Sequence, residues 1–215
     1  DLKETSPALQ ARCEIIPAGE KVTISSNSSA REKIDILFPI SNAASLYKEG
    51  GRPLIHELAQ YQRKLLKFLN QLSGVRVVVK PFPSYNYATS AFMELLQTCK
   101  NVEVFDMPFT QVLEKYSIGA IVSEFPSSPL FECLKTDAEI LSLTNPLLPF
   151  NATADKLLQK RVYFYDSLSE LEQGITDFLQ GRLPQRRNSE FVEKYLLPAN
   201  SRCIKKITAE IFGMA

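Results

Sequence analysis

The chain has 215 residues, of which 45% are hydrophobic and 23% are charged, and its formal net charge is +1. This composition is ordinary for a globular domain, and a net charge near zero gives no reason to expect a nucleic acid as partner. Because no run of eighteen apolar residues is present, the sequence predicts no membrane-spanning helix. We expect a cytoplasmic location, with peripheral contact at the inner face of a membrane as a further option.

The cysteine and histidine content excludes several kinds of site. Cys13, Cys99, Cys133 and Cys203 are far apart and form no CxxC pair, so neither a zinc site nor a disulfide framework is indicated. His56 is the only histidine, which excludes a histidine-based triad or a multi-histidine metal centre within the chain. The sequence therefore predicts no metal.

The order of elements along the chain predicts the fold. Residues 1–33 are polar and serine-rich, and we interpret them as a linker or an edge hairpin. From residue 34 onward, apolar strand-like runs alternate with segments of helical periodicity. The predicted strands are 34–40, 75–82, 102–105, 119–125, 138–143 and 162–165, and the predicted helices are 54–72, 88–99, 110–116, a short helix from residue 127, 152–159 and 169–179. This alternation predicts a Rossmann-like α/β domain over residues 34–182, with a mainly parallel sheet of about six strands and helices on both faces.

The last segment, residues 183–215, follows a basic connector that contains Arg182, Arg186 and Arg187. Two helical stretches, 189–197 and 201–212, lack intervening strands. We expect this helical tail to pack across the domain or onto an amino-terminal domain that is not part of the chain.

The segment 120–134 carries the strongest functional signal. It predicts a buried strand, a turn with Ser127 and Ser128, and a helix with Glu132 in its second turn. A helix start has unpaired N–H groups and partial positive charge, so the serines could hold a phosphate. They could equally be ordinary helix caps. Acidic groups at such junctions accept ribose hydroxyls, which makes Glu132 a candidate for the nucleoside part of a ligand.

Other candidate residues follow the earlier strands. Lys80 ends the second strand, where it could meet an anionic ligand at a wet cleft edge or be a plain surface lysine. Ser41 and Asn42 follow the first strand, and Ser84 follows the second. Arg52 lies in the long loop after the first strand, where it could contact the ligand or be solvated. Since the carboxyl ends of parallel strands share one edge, these residues are predicted to line one crevice.

Three common kinds of site are not indicated. The chain has no GxGxxG turn for a nicotinamide or flavin dinucleotide and no GxxxxGK[ST] loop of a P-loop NTPase. No two carboxylates are placed opposite each other as in a glycosidase. The sequence therefore predicts no bound cofactor, and it assigns no catalytic residue.

Two motifs resemble the carboxyl-terminal, donor-binding half of GT-B glycosyltransferases. The similarity is nearest to bacterial surface-polysaccharide enzymes with cytidine-linked donors, such as CDP-glycerol glycerophosphotransferases and the Kdo- or sialyl-transferase groups. Lys80-Pro81-Phe82-Pro83 is similar to their strand-end Lys-x-His-Pro element, and Phe125-Pro126-Ser127-Ser128 followed by Glu132 is similar to their Ser/Thr-containing turn with a downstream Glu. The pattern covers residues 34–179, whereas the motifs cover about a dozen residues.

The resemblance implies a nucleotide-sugar donor and a glycan acceptor, the latter bound through an amino-terminal domain. Lys80 and the Ser127 helix start would then face the donor phosphate, and Glu132 would face the ribose. Phe82 stands where those families place a histidine, which indicates a different mode of donor binding or an altered activity. The alternative is a non-catalytic binding or scaffold domain of the same fold. A sugar-nucleotide epimerase is a weaker third option, because no histidine is available at the strand ends.

Overall fold

The computed structural model describes residues 31–40, 52–82, 91–126, 128–144, 150 and 152–196. Within these residues the chain forms six β-strands, six α-helices and one π-helical turn. The strands are β1 (Glu32–Pro39), β2 (Val77–Lys80), β3 (Val102–Val104), β4 (Tyr116–Ser123), β5 (Glu139–Leu143) and β6 (Val162–Tyr165). The helices are α1 (Arg52–Gln71), α2 (Ala91–Thr98), α3 (Phe109–Lys115), α4 (Ser128–Cys133), α5 (Ala152–Gln159) and α6 (Leu168–Leu179), and the π-helical turn is Val192–Leu196.

All six strands belong to one parallel sheet, in the order β3-β2-β1-β4-β5-β6. The register pairs Phe38 of β1 with Val79 of β2, and Leu37 of β1 with Ile121 of β4. Strands buried on both faces carry near-continuous apolar runs, as the four valine and lysine positions of β2 and the five positions of β5 do. The predicted α/β Rossmann-like fold is confirmed.

Helices cover both faces of the sheet, and each face has its own apolar core. One core joins α1, α2 and α6 to the sheet, through residues such as Leu66, Leu96 and Ile175. The other joins α3, α4 and α5, through residues such as Val112 and Leu130. Because α1 and α2 pack on one face and α3 to α5 on the other, the chain changes face between β3 and β4. This double winding fixes where a ligand crevice can form.

Helix α6 shows how local sequence signals set element boundaries. Ser167 is its N-cap, and the Ser167 hydroxyl accepts from the Glu170 amide while the Glu170 carboxylate accepts from the Ser167 amide. This capping box satisfies two amides that the first turn leaves unpaired. The helix is followed by Gly181, whose φ of +68° is a conformation that favours glycine.

The element boundaries differ from the sequence prediction at several ends. Strand β2 covers Val77–Lys80, whereas the apolar run predicted 75–82. Strand β4 begins at Tyr116 and takes over the last residue of the helix predicted over 110–116. Strand β1 begins at Glu32, two residues before the predicted domain start. These shifts arise because neighbouring strands, rather than local propensity, decide where a ladder begins.

The segment after α6 packs against the same domain. The Arg186 guanidinium donates to the carbonyls of Gln159 and Val162, at 2.7 and 2.6 Å, and lies 3.8 Å from the centre of the Tyr163 ring. Phe191 is buried and stacks on Phe131 of α4, with ring centres 6.0 Å apart. Of the helix predicted over 189–197, the described residues form the turn Val192–Leu196. The helix predicted over 201–212 lies outside the described residues.

Candidate functional site

The carboxyl edge of the sheet contains the point where the strand order reverses. Strands β1 and β4 are adjacent, but the chain leaves β1 toward β2 on one side and leaves β4 toward β5 on the other. Connections therefore diverge above these two strands, and the gap between them is where open α/β sheets bind ligands. We call this region the switch-point crevice, defined by the carboxyl ends of β1, β2 and β4.

Lys80 ends β2 at this edge, next to β1. Its backbone carbonyl accepts from the Ile40 amide at 2.9 Å, and its register partner is Pro39. Because β1 lies between β2 and β4, and adjacent strands are about 4.8 Å apart, the backbones of Lys80 and Ser123 are separated by roughly 10 Å across the sheet. The sheet thus brings Lys80 to the same edge as the turn after β4.

The environment of Lys80 differs from the wet cleft edge that the sequence predicts. The residue is only 5% exposed, and its ammonium donates to the Pro81 carbonyl. Burial lowers the pKa of Lys80, and the negative charge of Asp106 after β3 opposes this shift. The expectation of a lysine at a wet cleft edge was wrong, because the side chain is buried and its ammonium lies against the Pro81 carbonyl. A half-desolvated cation of this kind attracts an anionic group more strongly than a surface lysine does.

The end of β4 carries a charged residue that the sequence analysis did not single out. Glu124 follows Ser123 directly and is 3% exposed. The Ser123 hydroxyl donates to the Phe125 carbonyl at 2.7 Å, which fixes the turn after the strand. The available signal was a carboxylate immediately after the apolar run 120–122, at the end of a strand flanked by others on both sides. A buried carboxylate at a switch point belongs with the candidate functional residues.

Glu132 lies on α4, in the helix that follows this turn. Its Oε2 is buried and has no hydrogen-bond partner among the described residues. Burial raises the pKa of Glu132, and the positive charge of Lys135 opposes the shift. An acceptor oxygen in this state gains a full hydrogen bond when a hydroxyl approaches it.

Helix α4 is too short to attract a phosphate at its start as strongly as a helix of ordinary length does. It has six residues, from Ser128 to Cys133. Because fewer peptide dipoles are aligned than in a helix of ordinary length, the positive potential at its start is smaller. Lys80 is therefore expected to contribute more to anion binding than the start of α4 does.

The remaining predicted site residues are described only in part. Ser41, Asn42, Ser84 and Ser127 lie outside the described residues. The backbones of Arg52 and Ser128 form the first residues of α1 and α4. Thus Arg52, which the sequence placed in a loop, is helical.

Phe82, which replaces the histidine of the resembling motif, follows Lys80 at the same edge. Its side chain is 41% exposed, an unusual degree for phenylalanine. An exposed aromatic ring beside a crevice can stack on a flat group such as a nucleobase.

The described residues contain neither a metal-binding cluster nor a helix that could span a membrane. Within residues 31–196, gaps apart, no group of three or more His, Cys, Asp or Glu side chains could hold a metal ion. No helix in the described part of the chain is long and apolar enough to cross a membrane.

Comparisons with known proteins leave the family open. No protein-family model matches the chain, and no curated protein matches it. A solved structure titled "Crystal Structure of the GsuK RCK domain" is similar at 15% identity and a TM-score of 0.35, over 75% of this chain and 30% of that one. The chain thus spans about a third of the length of that structure, and a likeness of this size carries no argument about function.

Proposed function

We propose that this chain is the donor-binding half of a bacterial GT-B glycosyltransferase that acts in surface-polysaccharide biosynthesis. The ligand is a nucleotide-activated sugar, cytidine-linked if the resemblance of its motifs holds. The observation that carries the proposal is the switch point between β1 and β4, with buried Lys80 on one side and the turn after β4 on the other. Of the two motifs, residues 80–82 and 125–126 lie at or just after the carboxyl ends of β2 and β4.

The proposed chemistry is electrostatic. Lys80, desolvated and close to Asp106, offsets charge that develops on the leaving nucleotide phosphate. A preorganised cation in a water-poor site stabilises such charge by several kcal/mol, on the order of one oxyanion-hole donor. Glu132 accepts a ribose hydroxyl through its buried Oε2. Arg52, at the start of α1, and Ser41, Asn42 and Ser84 are proposed to contribute to the same pocket.

The chain supplies half of the active site under this proposal. A glycan acceptor and any general base come from a second, amino-terminal domain that faces the crevice. Transfer needs the reacting atoms held about 3 to 3.5 Å apart, which an unfaced crevice cannot achieve for two substrates. We therefore expect the 215-residue chain to bind the donor without transferring it. The proposed location is the cytoplasm, at the inner face of the membrane where such acceptors are assembled.

The second candidate function is a non-catalytic binding domain of the same fold. The observation that favours it is Phe82, because phenylalanine cannot donate a hydrogen bond or a proton to a phosphate as histidine does. In this case the crevice still binds a nucleotide, with Phe82 stacked on the base, but the full-length protein performs no transfer. The two candidates therefore differ in turnover and agree in binding.

The test is a thermal-shift and calorimetry panel of CMP, CDP, UDP, GDP and their sugars. A ligand at a hundred times its dissociation constant stabilises the folded chain by about 2.7 kcal/mol, a shift that is easily measured. Lys80→Met retains the buried carbon chain and removes the charge, and we expect it to weaken nucleotide binding by about 1.5 to 3 kcal/mol. Lys67→Met, on the exposed side of α1, is the matched control and should bind normally.

Two outcomes would overturn the proposal. If no nucleotide shifts the unfolding temperature, the crevice is not a nucleotide site. If nucleotides bind but Lys80→Met binds as tightly as the original chain, Lys80 is not part of the site. Transfer by the 215-residue chain at the rate of the full-length protein would contradict the half-site argument and would place an acceptor site within this domain.

A further inference from the structure

A second cavity lies at the opposite edge of the sheet from the switch-point crevice. Its volume is about 280 Å³, close to the lower end of the roughly 300–1,000 Å³ typical of small-molecule pockets. It is formed where α4 ends, where α5 turns into β6, and where the chain approaches the π-helical turn. We call it the amino-edge cavity; its lining includes Lys135, Thr136, Asp137, Arg161, Arg187 and Ser189.

Arg161 is the central residue of the amino-edge cavity. It is only 2% exposed, and its Nη2 donates to the carbonyls of Thr136 and Ala138 at 2.8 and 2.7 Å. Its Nη1 is buried with no hydrogen-bond partner among the described residues. An unmet charged donor in a protein interior is costly, but Nη1 has almost no accessible surface, so an acceptor in the cavity reaches it only when the guanidinium rotates toward the cavity.

The nearby carboxylate does not meet this need. Glu139, at the first position of β5, is 4% exposed, and its Oε1 lies 2.5 Å from Arg187 Nη1. Its Oε2 accepts from the Arg186 amide at 3.2 Å. Glu139 thus acts on Arg161 through charge but is hydrogen-bonded elsewhere. The guanidinium remains positively charged, since arginine does not lose its proton in proteins.

The charges around the amino-edge cavity favour a negative ligand. Lys135, Arg161 and Arg187 bring three positive charges to the lining, against the single carboxylate of Asp137. Ser189 and the backbone near Thr136 add neutral polar groups. Glu139 beside the lining is bonded to Arg187, so the local excess is one positive charge, which favours an anion, and guanidinium groups suit the planar pairs of oxygens on a phosphate.

We propose that the amino-edge cavity binds a small phosphate-bearing molecule, either inorganic phosphate or a compact phosphate monoester. Lys135, Arg161 and Arg187 supply the positive charge that holds the phosphate, and Arg161 Nη1 donates to one phosphate oxygen when its guanidinium rotates toward the cavity. The cavity lies at the opposite edge of the sheet, so this site is separate from the switch-point crevice. The inference does not rest on the proposed function.

The test is calorimetric titration of the full chain with inorganic phosphate, glycerol 3-phosphate and, as a carboxylate probe, malonate. We expect saturable binding of at least one of the two phosphate probes. The probe with the lower dissociation constant shows whether the site prefers inorganic phosphate or a phosphate monoester. Lys135→Gln should raise the dissociation constant about tenfold, the effect of one charge-assisted hydrogen bond. Asp137→Asn should lower it, because removing a like charge favours the anion. A purely structural role for these residues would change neither value.

Control variants separate the amino-edge cavity from other anion effects. Lys156→Gln makes the same charge change on the exposed side of α5 and should leave phosphate binding unchanged. Lys80→Met should also leave it unchanged, because Lys80 lies at the opposite edge of the sheet. Arg161→Gln should abolish phosphate binding, and circular dichroism checks that this variant folds. If it does not fold, Lys135→Gln and Asp137→Asn still test the proposal.

Three titration results would overturn the proposal. The first is that neither phosphate probe binds at millimolar concentration, and the second is that Lys135→Gln and Asp137→Asn leave the affinity for phosphate unchanged. The third result is that Lys156→Gln weakens phosphate binding as much as Lys135→Gln does. Loss of phosphate binding in Lys80→Met would assign the anion to the switch-point crevice. Malonate binding as tightly as phosphate would overturn the phosphate assignment.

Discussion

The buried charged groups at the two edges of the sheet differ in their hydrogen-bond partners. At the amino edge, Glu139 is bonded to Arg187 and to the Arg186 amide, so the chain itself supplies most of the compensation. At the carboxyl edge, the buried Lys80 ammonium donates to the adjacent Pro81 carbonyl, and no ion pair of Lys80 is present among the described residues. The comparison indicates that Glu139 contributes mainly to stability, while Lys80 is available to a ligand.

The largest expected effect comes from breaking the amino-edge ion pair. Glu139→Ala leaves the half-exposed Arg187 and the buried Arg161 close together with no counter-charge between them. Removal of one partner from a buried pair costs about 3 to 5 kcal/mol, and we expect a loss of unfolding free energy near the lower value. Urea denaturation measures it.

The exposed pair between Asp177 and Arg182 at the end of α6 is the control for Glu139→Ala. Because water already solvates both of its groups, Asp177→Ala should leave the urea midpoint nearly unchanged. Equal losses of unfolding free energy in Glu139→Ala and Asp177→Ala would contradict the distinction between the buried pair of Glu139 and the exposed pair of Asp177.

A second prediction concerns packing at the carboxyl edge. The Tyr165 ring, at the end of β6, crosses α6 at Gly174, where an added Cβ would overlap the Tyr165 hydroxyl and ring. Gly174→Ala should cost about 1 to 3 kcal/mol of unfolding free energy through overpacking, despite a gain in helix propensity of up to about 1 kcal/mol. Thermal and urea denaturation measure the net effect.

A double-mutant cycle tests the cause of that loss. Tyr165→Leu removes the overlapping atoms, so Gly174→Ala should cost much less in the Tyr165→Leu background. Additive losses would show that the ring is not the obstacle. In that case the carboxyl edge near β6 would owe its stability to something other than this close approach.

The sequence predicts the fold well because its signals are local and repeated. Apolar runs such as 119–125 and the helical periodicity of 54–72 place every described strand and helix to within a few residues. Alternation does not by itself give the strand order, which depends on the change of face between β3 and β4. That long-range choice is a matter of packing.

The candidate site is harder to predict because burial decides its chemistry. The sequence identifies Lys80 as a strand-end cation, but its desolvation depends on the tertiary packing around the side chain. Arg161 and Glu139 read as ordinary charged residues before apolar strands. Their role follows only when segment 183–196 folds back and brings Arg187 to Glu139, 48 residues earlier in the chain.

The smallest expected effect is the pH dependence that Glu132 gives to stability. Burial raises the pKa of Glu132 above its ordinary value of 4.5, so the folded chain holds this proton more tightly than the unfolded chain does. The unfolding free energy that depends on Glu132 is therefore greatest below pH 4.5 and falls as the pH rises through the folded-state pKa. Glu132→Gln removes this loss, so the variant should gain on the original chain between pH 4.5 and neutral pH while its nucleotide affinity decreases. Glu94→Gln, exposed on α2, makes the same change of charge without burial and should show no such gain. A difference between Glu132→Gln and the original chain that is flat with pH, or that grows toward acid, would contradict a desolvated Glu132 carboxyl.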